Sequence, residues 1–113
     1  IGGGKGKLAA VAIGTLLGAF VGSEIGKSLD NADKAAMAQT TQNALETQQV
    51  GTTSTWHNPD SGHSGTVTPT STYQAPSGEY CREYSQTVNI GGQTEEAYGT
   101  ACRQPDGTWK IKN

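Results

Sequence analysis

The sequence predicts an α+β protein: an N-terminal glycine-zipper helix of the membrane type, a linking helix, and a small antiparallel β-meander closed by one disulfide. Three observations predict this architecture. Glycines recur at every fourth position of an apolar run, a helix-forming stretch rich in Ala and Gln follows, and the remaining half is rich in Thr, Ser, Tyr and Gly. We therefore expect three zones, over residues 1–27, 28–49 and 50–113.

The composition limits both the core and the class of partner. Only 33% of the 113 residues are hydrophobic and 6% are aromatic. A core built from this stock is thin, so a disulfide, a bilayer or partner subunits must add stability. The net charge of −2 offers no basic surface to a phosphate backbone. Nucleic acid is therefore disfavoured as a partner.

The glycine row lies in and just after the uncharged run from Leu8 to Gly22. Gly14, Gly18, Gly22 and Gly26 are four residues apart and would form one groove along a helix. Each interior glycine costs a helix in water about 1 kcal/mol, whereas in lipid such a groove lets a second helix pack closely. We expect these four residues to be a helix-packing interface that contacts membrane lipid, a second copy or other envelope proteins. The alternative is a flexible glycine-rich linker, which the intervening Leu, Ile, Val and Phe side chains disfavour.

The second zone has clear helix boundaries. Asp30 is a suitable N-cap, Asp33 follows three residues later, and helix formers continue to about Gln48 before a stop at Val50-Gly51. The apolar stripe is thin and mostly alanine, which predicts a solvated stalk or a weakly packed helix.

The third zone alternates strand-forming residues with turn signals. Turns are expected at 58–62, 91–92 and 105–107 because Gly, Pro, Asn and Asp cluster there. An antiparallel meander follows, with strands near 53–57, 65–73, 79–90, 93–103 and 108–112.

The two cysteines provide an independent check on strand register. If Gly91-Gly92 is a two-residue hairpin turn, opposed residues have numbers that sum to 183, beginning with Ile90 opposite Gln93. The numbers of Cys81 and Cys102 also sum to 183, so these two residues lie opposite each other. Hydrogen-bonded and non-hydrogen-bonded pairs alternate along the hairpin, and counting from the turn makes this a non-hydrogen-bonded pair, with Cα atoms about 4.5 Å apart. A disulfide can bridge that separation, and an oxidising compartment is implied.

Metal and catalytic sites are disfavoured by the sequence. His57, His63 and Asp60 flank a turn and could be imagined as metal ligands, but we expect them to be exposed or at strand ends. The carboxylates of the long hairpin lack the burial that tunes a general acid, and no base is placed to activate a serine. We expect no metal, no cofactor and no enzyme.

The aromatic residues allow two interpretations. They could line a binding face, but in a domain with few aliphatic side chains we expect them to form the core. The hairpin register also places Tyr84 across from Gly99, where its ring can cover the glycine. The six residues concerned are Trp56, Tyr73, Tyr80, Tyr84, Tyr98 and Trp109.

Four segments carry a family resemblance: GGGKG at 2–6, EIGKSLD at 24–30, YCREY at 80–84 and AYGTACRQPDG at 97–107. They resemble the rickettsial-type surface antigens, which are outer-membrane lipoproteins with a glycine-zipper region. The resemblance covers essentially the whole chain, and the two-cysteine tail is its most specific part. It implies an exported protein acylated at an N-terminal cysteine and carrying two glycine-rich hydrophobic segments. By this resemblance we expect Ile1 to fall about where the loop between the segments lies, with the lipidated cysteine and the first segment before it.

Three functional hypotheses follow. The first is a structural protein of the bacterial outer membrane, periplasm or cell surface that oligomerises or joins a larger assembly through glycine-zipper packing, with the β-domain contacting partners. The alternative is a membrane-tethered periplasmic binding or inhibitor module that acts through the β-domain. A conducting pore is less favoured, because no polar stripe lines the glycine-rich helix.

Overall fold

The fold is a five-stranded antiparallel sheet with a helix on one face. The computed structural model describes residues 24–112. Its elements are α1 (Glu24–Lys27), α2 (Asn31–Thr47), β1 (Ser54–Asn58), β2 (His63–Gln74), β3 (Tyr80–Ile90), β4 (Gln93–Arg103) and β5 (Trp109–Ile111). The strands lie in the order β1-β2-β3-β4-β5, so each pairs with its neighbour in sequence. The predicted meander is confirmed, and every strand bound lies within two residues of the expected one.

The central hairpin of β3 and β4 has the predicted register. Gly91 and Gly92 have φ angles of 59° and 83°, which glycine adopts without strain and which a two-residue turn of this twist requires. Ile90 lies opposite Gln93, and Cys81 lies opposite Cys102 with 4.0 Å between their Cα atoms. The predicted disulfide is therefore present, and it joins β3 to β4 at the end of the hairpin that lies away from the turn.

Tyr84 covers Gly99, as the register predicted. A Cβ atom at Gly99 would lie 2.9 Å from the Tyr84 hydroxyl oxygen, so only glycine leaves room for the ring. Tyr84 is 2% exposed and lies at the centre of the sheet, facing α2. The glycine thus lets a large ring lie flat against the sheet and fill space beneath the helix.

Helix α2 begins at the predicted cap. The Asp30 side chain accepts a hydrogen bond from the Asp33 backbone N–H at 2.7 Å, and the Asp33 carboxylate accepts one from the Asp30 N–H at 3.1 Å. This reciprocal capping box satisfies two N–H groups that the helix itself cannot pair.

The other end of α2 is held by a buried arginine of β3. The Arg82 guanidinium donates to the carbonyl oxygens of Leu45 at 2.6 Å and Ala44 at 3.2 Å, and its Nε donates to the Thr72 hydroxyl at 3.0 Å. A cation at a helix C-terminus is favourable because the unpaired carbonyls there carry partial negative charge. Both ends of α2 are therefore tied down.

The core lies between α2 and the sheet. Its two parts are the cluster of Ala38, Ala44, Leu45, Val67, Tyr84, Ala101 and Trp109, and the cluster of Leu29, Met37, Trp56 and Val88. Small side chains of the helix meet large side chains of the sheet, which lets α2 approach closely. Burial of these apolar groups supplies most of the favourable free energy of folding.

The predicted fold class was wrong in its helical part. No membrane-type glycine-zipper helix is present within residues 24–112, and α2 is not a solvated linker but an integral part of the core. A thin alanine-rich stripe predicts weak packing, but here it is buried. Ala38 and Ala44 are 1% and 0% exposed, since Tyr84 and Trp109 supply the volume that the helix lacks.

The predicted glycine row falls mostly outside the described residues. Gly14, Gly18 and Gly22 lie there, while Gly26 is a buried residue in the four-residue helix α1. Within residues 24–112, none of the helices combines the length and the apolar character that crossing a bilayer requires.

The two tryptophans of the core provide a matched test of the packing. Trp56 is 4% exposed, and its indole N–H has no hydrogen-bond partner among the described residues. Trp109 is 3% exposed, and its N–H donates to the Glu46 carboxylate at 2.9 Å. Both replacements by phenylalanine remove the same volume, but only one removes a hydrogen bond. We expect Trp109→Phe to lower the free energy of unfolding by about 1–2 kcal/mol more than Trp56→Phe in urea denaturation. Equal losses would contradict this account of the two indoles.

Candidate functional site

Two turns meet at the disulfide end of the sheet. The turn between β2 and β3 is closed by bonds from the Ala75 N–H to the Glu79 oxygen (2.8 Å) and from the Gly78 N–H to the Ala75 oxygen. The turn between β4 and β5 is closed in the same way, from the Gln104 N–H to the Thr108 oxygen at 2.7 Å. Since the disulfide joins β3 and β4 beside both turns, the turns are fixed side by side.

A groove lies at this end, and we call it the disulfide-end groove. It has a volume of about 540 Å³, within the range of about 300–1,000 Å³ that is typical of small-molecule sites. Three residues form its apolar surface: Ala75, Pro76 and Cys102. Ile111 also borders the groove, but its side chain packs against the core on the helix face of the sheet. The groove is therefore a shaped surface with an apolar floor that includes one half of the disulfide.

Two lysines of the C-terminal strand region line the groove. Lys110 and Lys112 are two positions apart along an extended chain, so both side chains project from the same face of the sheet. The Lys112 ammonium lies 5.8 Å from the centre of the Tyr73 ring, within reach of a cation–π interaction. The ammonium groups give this end of the molecule a local positive charge.

The single carboxylate that lines the groove already has hydrogen-bond donors. Glu79 accepts from the Ser77 hydroxyl and from the Gln104 amide, each at 3.1 Å. The Gln104 amide also donates to the Cys102 carbonyl at 3.2 Å, which holds it in place. The lining thus carries two cations and one carboxylate, a surplus of positive charge in a chain whose net charge is −2.

A second, smaller groove of about 310 Å³ shares Ser77, Glu79 and Gln104 with the first. Its cation, Arg103, is paired: the guanidinium Nε donates to the Glu46 carboxylate at 2.8 Å. This hydrogen bond lowers the pKa of Glu46 against the opposing effect of burial, and the Trp109 indole N–H lowers it further. The surplus of positive charge therefore belongs to the disulfide-end groove.

A polar cluster is buried at the opposite end, around the start of α2. The Asp33 carboxylate is fully buried and accepts hydrogen bonds from the Asn58 amide (2.8 Å), the Ser61 hydroxyl (2.7 Å) and His63 Nδ1 (2.6 Å). Burial alone raises the pKa of Asp33, but hydrogen bonds from His63, Ser61, the Asp30 N–H and Asn58 outweigh it and lower the pKa to about 2. Asp33 is therefore ionised, and His63 Nδ1 is the donor in their bond.

This cluster contains Asp, His and Ser but lacks the geometry of a catalytic triad. In a triad the serine hydroxyl bonds to the histidine nitrogen that faces away from the carboxylate. Here the Ser61 hydroxyl donates to Asp33 itself, so histidine and serine are parallel donors to one acceptor. The arrangement ties the turn between β1 and β2 to the helix N-terminus.

The predicted site residues are distributed over several places. Cys81 and Cys102 lie side by side as the disulfide, 0% and 6% exposed. His57 and Asp60 are exposed, whereas His63 is bonded to Asp33. Within the described part of the chain, no group of three or more His, Cys, Asp or Glu side chains is placed to hold a metal ion.

The aromatic residues divide between core and surface. Trp56, Tyr84 and Trp109 are buried as expected, but Tyr73, Tyr80 and Tyr98 are 38%, 58% and 71% exposed. The prediction that all six form the core was therefore wrong for half of them.

Sequence reasoning missed the lysine pair and the tertiary role of Asp33. Lys110 and Lys112 have a spacing of two, which is the one signal that places both on one face of a strand. Asp33 was identified as a helix-cap residue, but nothing local to it shows that Asn58, Ser61 and His63 converge on its carboxylate.

Fold and site together define a small, disulfide-closed α+β domain suited to oxidising surroundings, with an open, positively charged groove at one end. The family model described as "17 kDa outer membrane surface antigen" matches residues 43–110. The "17 kDa surface antigen" of Rickettsia bellii is 53% identical over 112 residues, which cover 99% of this chain and 70% of that protein. The chain belongs to the 17 kDa outer membrane surface antigen family.

Relatives from other species match a shorter part of the chain. The 17 kDa surface antigens of Rickettsia felis and Rickettsia conorii are each 52% identical over 85 residues, which cover 75% of this chain and 54% of each relative. No solved structure matches the chain.

Proposed function

We propose that this chain forms the globular domain of a structural envelope protein, which acts outside the cytoplasm by contacting partners and not by catalysis. The observation that carries the proposal is the buried disulfide across the central hairpin, between Cys81 and Cys102. Disulfides of this kind form and persist in the periplasm or at the cell surface and are rare in the cytosol. The named location of the family, the outer membrane surface, agrees with that requirement.

The proposed absence of catalysis is supported by two features. The relatives are named as surface antigens, a description of location and immune recognition that specifies no reaction. The Asp33 cluster, the one place where described residues combine carboxylate, imidazole and hydroxyl, uses all three in structural hydrogen bonds.

The domain also offers the features of a binding module, which is the second candidate function. The disulfide-end groove favours it, because two exposed lysines and an apolar floor lie beside two turns that are closed by backbone hydrogen bonds. Contact with membrane lipid and association with copies or other envelope proteins stay predictions.

Site-specific photo-crosslinking in cells that make the whole protein tests this proposal. A photoreactive residue at Ser77, on the groove, should give adducts in the envelope fraction, whereas the same residue at exposed Gln39 on α2 should give few. An adduct with an envelope protein supports the structural role, and an adduct with a saccharide or lipid supports the binding module. A protein that fractionates with the cytosol, with no adduct from either position, would contradict both.

A further inference from the structure

We propose that the disulfide-end groove binds a small saccharide that carries a phosphate or carboxylate group. The inference rests on the proposed function for the source of such a ligand, because acidic saccharides occur in the cell envelope. The binding itself depends only on the groove.

The charge of the groove selects an anion. Lys110 and Lys112 present ammonium groups, and the lining carboxylate, Glu79, is held by Ser77 and Gln104. A phosphate or carboxylate that bridges the two ammonium groups gains two charge-assisted hydrogen bonds. An uncharged or cationic ligand gains none of them.

The floor of the groove selects a compact ring. Ala75, Pro76 and Cys102 offer an apolar surface on which the C–H face of a sugar ring can lie. The Gln104 N–H groups and the Ser77 O–H already donate to Glu79 and the Cys102 carbonyl, but the amide oxygen of Gln104 and the hydroxyl oxygen of Ser77 can accept hydrogen bonds from ring hydroxyls. A volume of about 540 Å³ fits a ligand of one or two rings.

The groove is pre-organised, which lowers the cost of binding. Both of its turns are closed by backbone hydrogen bonds, and the disulfide fixes the strands between them. A ligand therefore orders few groups beyond the two lysine side chains.

Two variants and one matched control test the role of the lysines. Lys110→Gln and Lys112→Gln each remove one ammonium from an exposed position, so the fold is retained. Lys34→Gln removes the same charge from α2, away from the groove. We expect either groove variant to weaken binding about fivefold to tenfold and the control to change it less than twofold.

Binding is measured by NMR chemical-shift titration of the purified, disulfide-intact chain. The probes are N-acetylglucosamine 1-phosphate, N-acetylmuramic acid, uncharged N-acetylglucosamine and inorganic phosphate, each to about 10 mM, a range that detects a Kd near 1 mM. We expect the two charged sugars to shift the amides of Cys102, Lys110 and Lys112. We expect the uncharged sugar and inorganic phosphate to bind at least tenfold more weakly. Raising the salt concentration should weaken the binding of the charged sugars and of inorganic phosphate but leave that of the uncharged sugar unchanged.

Vesicles distinguish the two sources of such a ligand. Phosphatidylcholine vesicles with lipid A should retain the chain if the ligand is a glycolipid headgroup, and vesicles without it should not. If neither kind of vesicle retains the chain but the free charged sugars bind it, the ligand is a soluble or cell-wall glycan. Both results support the groove as an acidic-saccharide site.

Several results would overturn the inference. They are equal binding of charged and uncharged sugars, inorganic phosphate binding as tightly as the sugar phosphate, an equal loss in Lys34→Gln, or no shift with any probe. None of them bears on where the protein acts in cells, so failure here is separable from failure of the proposed function.

Discussion

Replacing Asp33 with alanine is expected to lower the free energy of unfolding by about 3–5 kcal/mol, the largest effect of any single substitution that we consider. The variant leaves the donors of Asn58, Ser61 and His63 directed at a cavity, and the N-terminus of α2 loses its reciprocal cap. Urea denaturation followed by circular dichroism measures the loss.

A neighbouring carboxylate provides the control for that substitution. Asp60 lies in the same turn region but is exposed, so Asp60→Ala should change the free energy of unfolding by less than about 0.5 kcal/mol. Equal losses for Asp33→Ala and Asp60→Ala would show that the cluster does not hold the helix to the sheet.

The Asp33 carboxylate makes the free energy of unfolding depend on pH in the acidic range. The pKa of Asp33 is about 2 in the folded chain, against 3.8 for the unperturbed group. Because the folded pKa is the lower one, the ionised carboxylate stabilises the fold fully above about pH 4, and this stability is lost as the pH falls toward 2. Asp33→Asn, which cannot ionise, should lack this part of the acid-induced loss.

Removing the disulfide is expected to have the second largest effect. Cys81 and Cys102 are 21 residues apart in sequence, and closing a loop of that length restricts the unfolded chain by about 3 kcal/mol. The double variant Cys81→Ala/Cys102→Ala should lose that much free energy of unfolding while keeping the same sheet by circular dichroism. The thin core makes the loss large relative to the stability of the whole domain.

Reduction of the unmodified chain provides a second measurement of the same quantity. Tris(carboxyethyl)phosphine should produce a loss similar to that of the double variant, and it should have no further effect on the variant itself. A loss below about 1 kcal/mol in both experiments would show that the hairpin is fixed by its turn and side chains without the bridge.

The sheet could be predicted because its signals are local. Gly91-Gly92 fixes the turn, the turn fixes the register, and the register places Cys81 opposite Cys102, so each step constrains the next. The start of α2 was predictable for the same reason, since Asp30 and Asp33 act within one turn of helix.

The role of α2 could not be predicted because it depends on residues distant in sequence. Ala38 and Ala44 are weak signals alone, and their burial follows from Tyr84 and Trp109, which lie at least 40 positions further along the chain. The disulfide-end groove could not be predicted from the sequence for the same reason. Its walls are two turns that the sequence separates by about 25 residues and that the pairing of β3 with β4 brings together.

The oxidation state of the two cysteines in intact cells is the most direct test of an envelope role. Cells that make the protein are quenched in acid, and free thiols are labelled with a polyethylene glycol maleimide before or after reduction. Since the chain has two cysteines, we predict no mass increment before reduction and two increments after it. Two increments before reduction in most of the population would place the domain in a reducing compartment and contradict the account.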